Sequence, residues 1–194
     1  MNHLVVVAHP REQSFTMDVA RLAADELTTR GHIVNLRDLY RMNFNPVASA
    51  EDIACMKTGR IAPDVAIEME LIKAADVITF VHPIWWIGLP AIIKGYVDRV
   101  FALGFAYGYG PNGVRGSLAG KRAMIITSSG STQEEFDSSG KMASIQIAQD
   151  FGTMQFCAMD VIEHIHLAPL GSRSTPGMVE GYKQRVRAAI QNNF

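Results

Sequence analysis

The sequence has few cysteines and no surplus of charge of either sign, and these shortages exclude several classes of protein. Its two cysteines, Cys55 and Cys157, are too far apart for the spacing of a zinc site. With 18 basic and 19 acidic residues the formal net charge is −1, which lacks the basic surplus that nucleic-acid binding needs. The sequence therefore predicts reduced structural thiols, with Cys157 in the core, and no nucleic-acid partner.

Long hydrophobic runs and leader-like segments are also missing. No apolar run reaches the roughly 18 residues that cross a bilayer, and the N-terminus enters an apolar strand pattern without a charged segment or cleavage site. We therefore expect a cytoplasmic protein. At 194 residues and 48% hydrophobic, without internal repeats or linkers, the chain is expected to form one domain over residues 1–194.

Several well-known motifs are absent as well. The chain has no G-x-G-x-x-G or G-x-x-x-x-G-K-[ST] segment, so neither a Rossmann dinucleotide site nor a P-loop is predicted. It has no G-x-S-x-G elbow either, which argues against a serine hydrolase. A receiver domain needs acidic residues after the first strand, where this chain has His9-Pro10.

Strand and helix patterns alternate along the chain. Short apolar runs predict strands, and helical spacing follows Ser14, Pro63, Leu89, Ser139 and Pro176. This alternation predicts an α/β fold in which five parallel strands carry helices on both faces. Because right-handed crossovers leave few topologies, we predict the doubly wound, flavodoxin-like strand order 2-1-3-4-5. The runs that predict strands are residues 4–8, 32–36, 76–81, 122–127 and 161–167.

Two stretches are predicted to lack regular structure. Residues 37–62 are expected to be irregular with at most short helical turns, because their apolar residues show no sustained period. Residues 104–120 hold six glycines, and a long loop inside a compact domain is usually functional.

Loops after predicted strands one, three and four share one rim of the sheet, where α/β folds bind ligands. The first offers hydroxyls and free amides at a helix N-terminus, which suits a phosphate. The second, Pro83 to Gly88, contains two adjacent tryptophans and forms a flat aromatic wall, and the third, Thr127 to Thr132, offers small polar residues. Together these features indicate a flavin nucleotide.

Several segments, in order and nearly end to end, also carry a family resemblance: Ala8-His9-Pro10, Ser14-Phe15-Thr16, residues 39–46, residues 83–95, Arg99-Val100-Phe101 and residues 105–109. In these segments the chain resembles the NAD(P)H:quinone oxidoreductases of flavodoxin-like fold. The family includes ancillary subunits of glutathione-gated potassium efflux systems.

The resemblance implies a homodimer with flavin at the subunit interface. NAD(P)H would pass hydride to flavin N5 and leave, and a quinone or similar flat acceptor would then take two electrons. The resemblance favours FMN, because segments that contact adenine in longer members are absent or shortened. FAD stays possible. The alternative is a flavin-binding regulatory subunit that docks on a potassium efflux transporter.

The resemblance also assigns site residues, while the flavin itself carries the chemistry and no catalytic residue is assigned. Trp86 would line the face on which donor and acceptor stack, and Tyr107 and Tyr109 would reach into the partner's site. The proposed cofactor-binding residues fall into three groups: His9, Ser14, Phe15 and Thr16 for the phosphate; Pro83, Ile84, Trp85, Trp86 and Ile87 for the ring; and Thr127, Ser128, Ser129 and Gly130 for its polar edge.

Three points qualify this assignment. Longer family members carry a Tyr and, six residues later, a His after strand four, whereas this chain has Glu135-Phe136 and then Lys141. One of the two adjacent tryptophans is expected to pack in the core, since neighbouring residues of an extended turn point in opposite directions. His164 and His166 are spaced for one strand face, but no third ligand accompanies them, so no metal site is predicted.

Overall fold

The computed structural model describes residues 1–54 and 58–194 and contains a central five-stranded parallel sheet. Its strand order is β2-β1-β3-β6-β7. The strands are β1 (Asn2–Val7), β2 (Ile33–Asp38), β3 (Val77–Pro83), β4 (Tyr107–Gly110), β5 (Gly113–Gly116), β6 (Arg122–Ser128) and β7 (Asp160–Leu167). The predicted fold class and order are confirmed, because β4 and β5 form a separate two-stranded sheet and the remaining strands follow the predicted order.

Helices pack on both faces of this sheet. The helices of the chain are α1 (Phe15–Thr29), α2 (Ala50–Thr58), α3 (Pro63–Ala74), α4 (Ala91–Val100), α5 (Gln133–Ser138), α6 (Lys141–Gln146) and α7 (Pro176–Asn193). Alternate residues of β1 belong to two separate cores. Val5 and Val7 pack with α1 and α7, whereas Leu4 and Val6 pack with α3 and α4. A strand buried on both faces explains the continuous apolar run in the sequence.

The edge position predicted for the second strand is also correct. β2 pairs only with β1 in the sheet, and Ile33 and Leu36 are exposed. Cys157 is a free, buried thiol, as predicted, and burial raises its pKa to about 11. Cys55 lies outside the described residues. Within residues 1–54 and 58–194, no helix combines the length and hydropathy that a membrane span requires.

The prediction of irregular structure over residues 37–62 is wrong, because α2 forms there. Ser49 and Asp52 cap its start reciprocally: Ser49 Oγ accepts from the Asp52 amide at 3.0 Å, and Asp52 Oδ2 accepts from the Ser49 amide at 2.8 Å. Such a box of side-chain caps offsets the weak apolar period of the helix.

Residues 104–120 are also more regular than predicted, since β4 and β5 form an antiparallel hairpin between Tyr107 and Gly116. Glycine lets the hairpin lie against neighbouring backbone. A Cβ added to Gly116 would stand 2.2 Å from the carbonyl carbon of Cys157, so the glycine is needed for this contact.

The predicted helical stretch from Ser139 to Met159 is confirmed in two parts. The first is α6, and the second is a π-helical segment, Ile147–Gln155, which leads towards β7. This segment places Asp150 and Gln149 in the interior, where both are buried.

Candidate functional site

A cavity of about 480 Å³ opens at the carboxyl end of the sheet, within the range of about 300–1,000 Å³ typical of ligand sites. It is bordered by the loops after β1, β3 and β6, as predicted, and by the chain after β7. Its lining consists of His9, Arg11, Ser14, Phe15, Thr16, Asp18, Pro83, Ile84, Trp85, Ser128, Ser129, Gly130, Leu170, Gly171, Ser174 and Val179.

The N-terminus of α1 forms one end of the cavity. Ser14 is its N-cap, and its Oγ accepts from the Met17 amide at 3.3 Å. The amides of Phe15 and Thr16 belong to the first turn, where N–H groups have no acceptor within the helix. These free donors and the positive end of the helix dipole can hold an anion.

His9 stands beside this anion site. Its Nδ1 accepts from the Arg11 amide at 3.1 Å, and Arg41 Nη1 donates to the His9 carbonyl at 3.0 Å. Burial, more than the neighbouring arginines, lowers the pKa of His9 below its ordinary value. His9 Nδ1 is also 3.2 Å from the Arg11 carbonyl oxygen, so the tautomer in which Nδ1 accepts from the Arg11 amide is the one that leaves Nε2–H to donate to a ligand.

The loop after β3 is a tight, strained turn. Trp85 and Gly88 close it with two backbone hydrogen bonds of 3.2 and 3.0 Å. The central residues Trp86 and Ile87 have φ values of 52° and 58°, the left-handed region that a β-branched residue rarely adopts. Strain of this kind is concentrated at functional sites.

The two tryptophans of this turn have different surroundings. Trp85 lines the cavity, its ring centroid is 6.2 Å from that of His9, and its side chain remains 40% exposed. Trp86 is fully exposed and does not line the cavity. The expectation that one indole packs in the core is wrong, because the left-handed turn turns both side chains away from the interior.

The remaining predicted site residues divide in the same way. Ser128, Ser129 and Gly130 line the cavity. Ile87 is exposed and does not line the cavity. The Thr127 side chain is buried, with its Oγ1 2.8 Å from His166 Nδ1. The tyrosines Tyr107 and Tyr109 lie in β4 and do not line it either.

Sequence reasoning missed the fourth wall, made by Leu170, Gly171, Ser174 and Val179. The signal was available, because the chain that leaves a parallel β7 emerges at the same rim as the other loops. Arg11 and Asp18, which also line the cavity, were missed because neither belongs to a recognised pattern.

The residues that replace the family's Tyr and His do not line the cavity. Glu135 caps α5 and accepts two hydrogen bonds from Arg173 Nη1, at 3.0 and 2.9 Å. The backbone hydrogen bond from Thr132, followed by Arg173, lowers the pKa of Glu135. Phe136 is buried with its ring 4.6 Å from that of His166.

His164 and His166 both make side-chain hydrogen bonds. His164 Nδ1 is 2.7 Å from Asp150 Oδ1, and His166 Nε2 is 3.0 Å from Ser129 Oγ. In the part of the chain that the structure describes, no group of three or more His, Cys, Asp or Glu side chains is arranged to hold a metal ion.

Comparison with known proteins gives consistent matches over almost the whole chain. The family described as flavodoxin-like fold matches residues 1–190. An uncharacterized NAD(P)H oxidoreductase of Haemophilus influenzae is 34% identical over 196 residues, covering 98% of this chain and 96% of the relative.

Two further proteins carry quinone in their names. NAD(P)H dehydrogenase [quinone] 1 of Rattus norvegicus is 30% identical over 213 residues, covering 98% of this chain and 78% of the relative. The structure of an NAD(P)H:quinone oxidoreductase from Methanothermobacter marburgensis superposes with a TM-score of 0.90 at 28% identity, covering 99% of this chain and 98% of that one. The chain therefore belongs to the NAD(P)H:quinone oxidoreductase family of flavodoxin-like fold.

Proposed function

We propose that this protein is an FMN-dependent NAD(P)H:quinone oxidoreductase that works by alternating binding of donor and acceptor. The observation that carries the proposal is one cavity with an anion site at one end, the Trp85 ring on a wall and the Ser128 to Gly130 loop on another. A phosphate, a flat ring and a polar ring edge are the parts of a flavin nucleotide.

The residues of the cavity fit FMN by their chemistry. Ser14, Thr16 and the free amides of the first turn of α1 would hold the phosphate, and Arg11 adds a positive charge. Asp18 also lines the cavity, and its carboxylate would accept hydrogen bonds from ribityl hydroxyls. FMN is proposed over FAD because the family segments that contact adenine are shortened in this chain.

Flavin, when bound, supplies reversible two-electron transfer. The chain would orient it: Pro83, Ile84 and Trp85 would form the wall beside the ring, and Ser128 and Gly130 would hydrogen-bond its polar edge. One free ring face would be left, so NAD(P)H and the quinone would occupy the same place in turn.

We further propose that the protein acts as a homodimer. Large apolar side chains are exposed on the turn, the hairpin and the π-helical segment: Trp86, Tyr109, Val114, Ile147, Phe151 and Phe156. The rings of Tyr107 and Phe156, 5.2 Å apart, join the hairpin to that segment. A second copy would cover this surface, with Trp86, Tyr107 and Tyr109 brought to the shared site. Docking on a potassium efflux transporter stays a prediction of the sequence.

The visible spectrum tests this function directly. Purified protein reconstituted with FMN or FAD should show a bound-flavin spectrum that NADH or NADPH bleaches without oxygen and a quinone restores. A colourless protein that binds neither flavin and reduces no quinone would refute the proposal. Sedimentation should give a dimer, and a fully active monomer would contradict the shared site.

Two matched tryptophan variants locate the ring. Trp85→Ala should weaken FMN affinity about tenfold, because it removes an aromatic wall of the cavity. Trp86→Ala should leave FMN affinity nearly unchanged and instead slow acceptor turnover and weaken dimerisation. The reverse pattern would place the flavin against Trp86.

A further inference from the structure

A continuous chain of side-chain hydrogen bonds runs from the interior to the cavity. Asp150 Oδ1 is 2.7 Å from His164 Nδ1, and His164 Nε2 is 3.3 Å from Thr127 Oγ1. Thr127 Oγ1 is 2.8 Å from His166 Nδ1, and His166 Nε2 is 3.0 Å from Ser129 Oγ. The last member, Ser129, lines the cavity. We call these five residues the histidine chain.

With both rings neutral, one arrangement of donors makes all four hydrogen bonds of the histidine chain, in competition with the Ile165 carbonyl, 3.4 Å from Thr127 Oγ1, and the Ser131 carbonyl, 3.1 Å from Ser129 Oγ. His164 donates through Nδ1 to the Asp150 carboxylate, which can only accept. Its Nε2 must then accept from the Thr127 hydroxyl. Thr127 in turn accepts from His166 Nδ1, and His166 Nε2 accepts from Ser129. In this arrangement Ser129 offers only lone pairs to the cavity.

One added proton reverses every hydrogen bond except the innermost. His164 becomes doubly protonated beside Asp150, and its Nε2 now donates to Thr127. Thr127 donates to His166 Nδ1, and His166 Nε2 donates to Ser129. The Ser129 hydroxyl is then free to donate a hydrogen bond, either to the Ser131 carbonyl at 3.1 Å or to a group in the cavity. The two arrangements therefore differ by one proton, and that difference is expressed at Ser129.

The two rings of the histidine chain have different hydrogen-bond partners: His164 contacts the Asp150 carboxylate, whereas His166 contacts the hydroxyls of Thr127 and Ser129. Burial, followed by electrostatic interaction with His164 and Arg185, lowers the pKa of His166 to about 4, and Asp137 acts in the opposite direction. His164 has the Asp150 carboxylate in contact, and the nearby His82 is itself a buried ring whose pKa burial lowers to about 4. The Asp150 carboxylate would therefore stabilise a doubly protonated ring at His164, and the hydroxyl partners of His166 carry no such charge.

We propose that the histidine chain is a one-proton store that donates into the cavity through Ser129 during acceptor reduction. This inference rests on the proposed function. Reduction of a quinone by NAD(P)H takes two electrons and one proton as hydride from the donor, and one further proton. That further proton leaves the Ser129 hydroxyl, the chain returns to its neutral arrangement, and a solvent proton entering through the cavity reloads His164.

Nitrogen NMR of the histidine rings tests the store in the full chain without added flavin. At high pH both rings should be neutral with the proton on Nδ1. As His164 takes up a proton on lowering the pH, His166 should stay neutral but move its proton from Nδ1 to Nε2. This coupled tautomer change is a signature that purely structural hydrogen bonds would not produce.

The matched variants are Thr127→Val and Thr79→Val. Thr127→Val removes the central hydroxyl and should abolish the coupled change at His166. Thr79 is equally buried, in β3, but does not belong to the histidine chain, so Thr79→Val should leave the coupled change intact. The proposal would be overturned if the His166 tautomer did not change when His164 is protonated, or if that change were still observed in Thr127→Val.

The FMN-loaded protein tests the catalytic part separately. Thr127→Val should bind FMN with unchanged affinity but slow quinone reduction about tenfold at alkaline pH, with an altered solvent isotope effect. An unchanged pH profile would refute the role in turnover. Failure of the unsubstituted protein to bind flavin would refute the proposed function instead, because the NMR experiment needs no cofactor.

Discussion

Gly95 of α4 lies directly against the backbone of Pro46. A Cβ added to Gly95 would stand 2.4 Å from Pro46 Cβ and 2.1 Å from the Pro46 carbonyl oxygen. No side chain fits in that space unless the helix or the segment before α2 moves. The contact therefore holds the segment that precedes α2 against the helix that follows the tryptophan turn.

Gly95→Ala should destabilise the protein by about 1–3 kcal/mol, the usual cost of overpacking. The control is Gly181→Ala in the interior of α7, where nothing lies within 4 Å of the added Cβ. That substitution should stabilise by about 0.5–1 kcal/mol, because alanine is the better helix former. Urea unfolding measures both, and equal effects would contradict the contact.

Arg99 is expected to be the most costly charged residue to replace. Its side chain is 5% exposed and contacts Asp52 at 2.9 Å, Asp64 at 2.6 Å and the Asn45 carbonyl at 2.7 Å. Arg99→Met would leave Asp52 buried without its cation, at a cost of about 3–5 kcal/mol.

The control for Arg99 is an exposed ion pair on the same helix. Lys94 and Asp98 are 2.5 Å apart and largely in solvent. Lys94→Met should change the free energy of unfolding by less than about 1 kcal/mol. A small effect of Arg99→Met in the same urea titration would mean that the Asp52 site relaxes to admit water.

Stability should fall on mild acidification because of buried histidines. Burial lowers the pKa of His3, His82 and His166 to about 4, below the unfolded value of 6.5. Between these values the unfolded chain binds more protons, so the free energy of unfolding decreases as the pH falls from about 6.5 to 4. Chemical unfolding at a series of pH values measures this, and a flat profile over that window would contradict it.

The carboxylates act in a separate window at lower pH. Hydrogen bonds from Arg99 are the largest cause that lowers the pKa of both Asp52 and Asp64 below 3.8. Their stabilisation is present above 3.8 and is lost as the pH falls further. Arg99→Met should remove this second decline and leave the histidine decline in place.

Ile87→Asn should stabilise the protein by about 1 kcal/mol, because asparagine tolerates the left-handed region better than a β-branched residue. Ile87 is 41% exposed, so the substitution loses only part of the burial of a core isoleucine. Ile87→Val keeps the β-branch and should change stability by less than about 0.5 kcal/mol. Equal unfolding midpoints for the two variants would show that the turn carries no strain.

A buried water is expected between His82 and Gln149. His82 Nε2 and the Nε2 and Oε1 atoms of Gln149 are buried without a hydrogen-bond partner among the described residues. Both side chains line a cavity of about 10 Å³, close to the space that one water needs. A high-resolution crystal structure should show that water. Well-ordered His82 and Gln149 side chains with no electron density between them would refute the assignment.

Much of the site could be predicted because parallel strands end at one rim. Ser14 was recognisable as an N-cap, and the Ser128 to Gly130 loop follows an unmistakable apolar strand. The difference between Trp85 and Trp86 was not predictable, since it depends on two left-handed φ values imposed by the closed turn. The hydrogen bonds of the histidine chain could not be predicted either. A π-helical segment brings Asp150 to β7, and the apolar pattern of the sequence does not indicate a π-helix there.

By itself, then, the sequence determined the five-stranded parallel sheet, its order and the rim that carries the ligand loops, because burial on both faces demands continuous apolar strands. Tertiary structure alone decided which tryptophan meets the cavity, that the chain after β7 lines it, and that His164 and His166 are linked by hydrogen bonds to Ser129 through Thr127. Such contacts join residues from separate elements, and only the packing of those elements sets their distances.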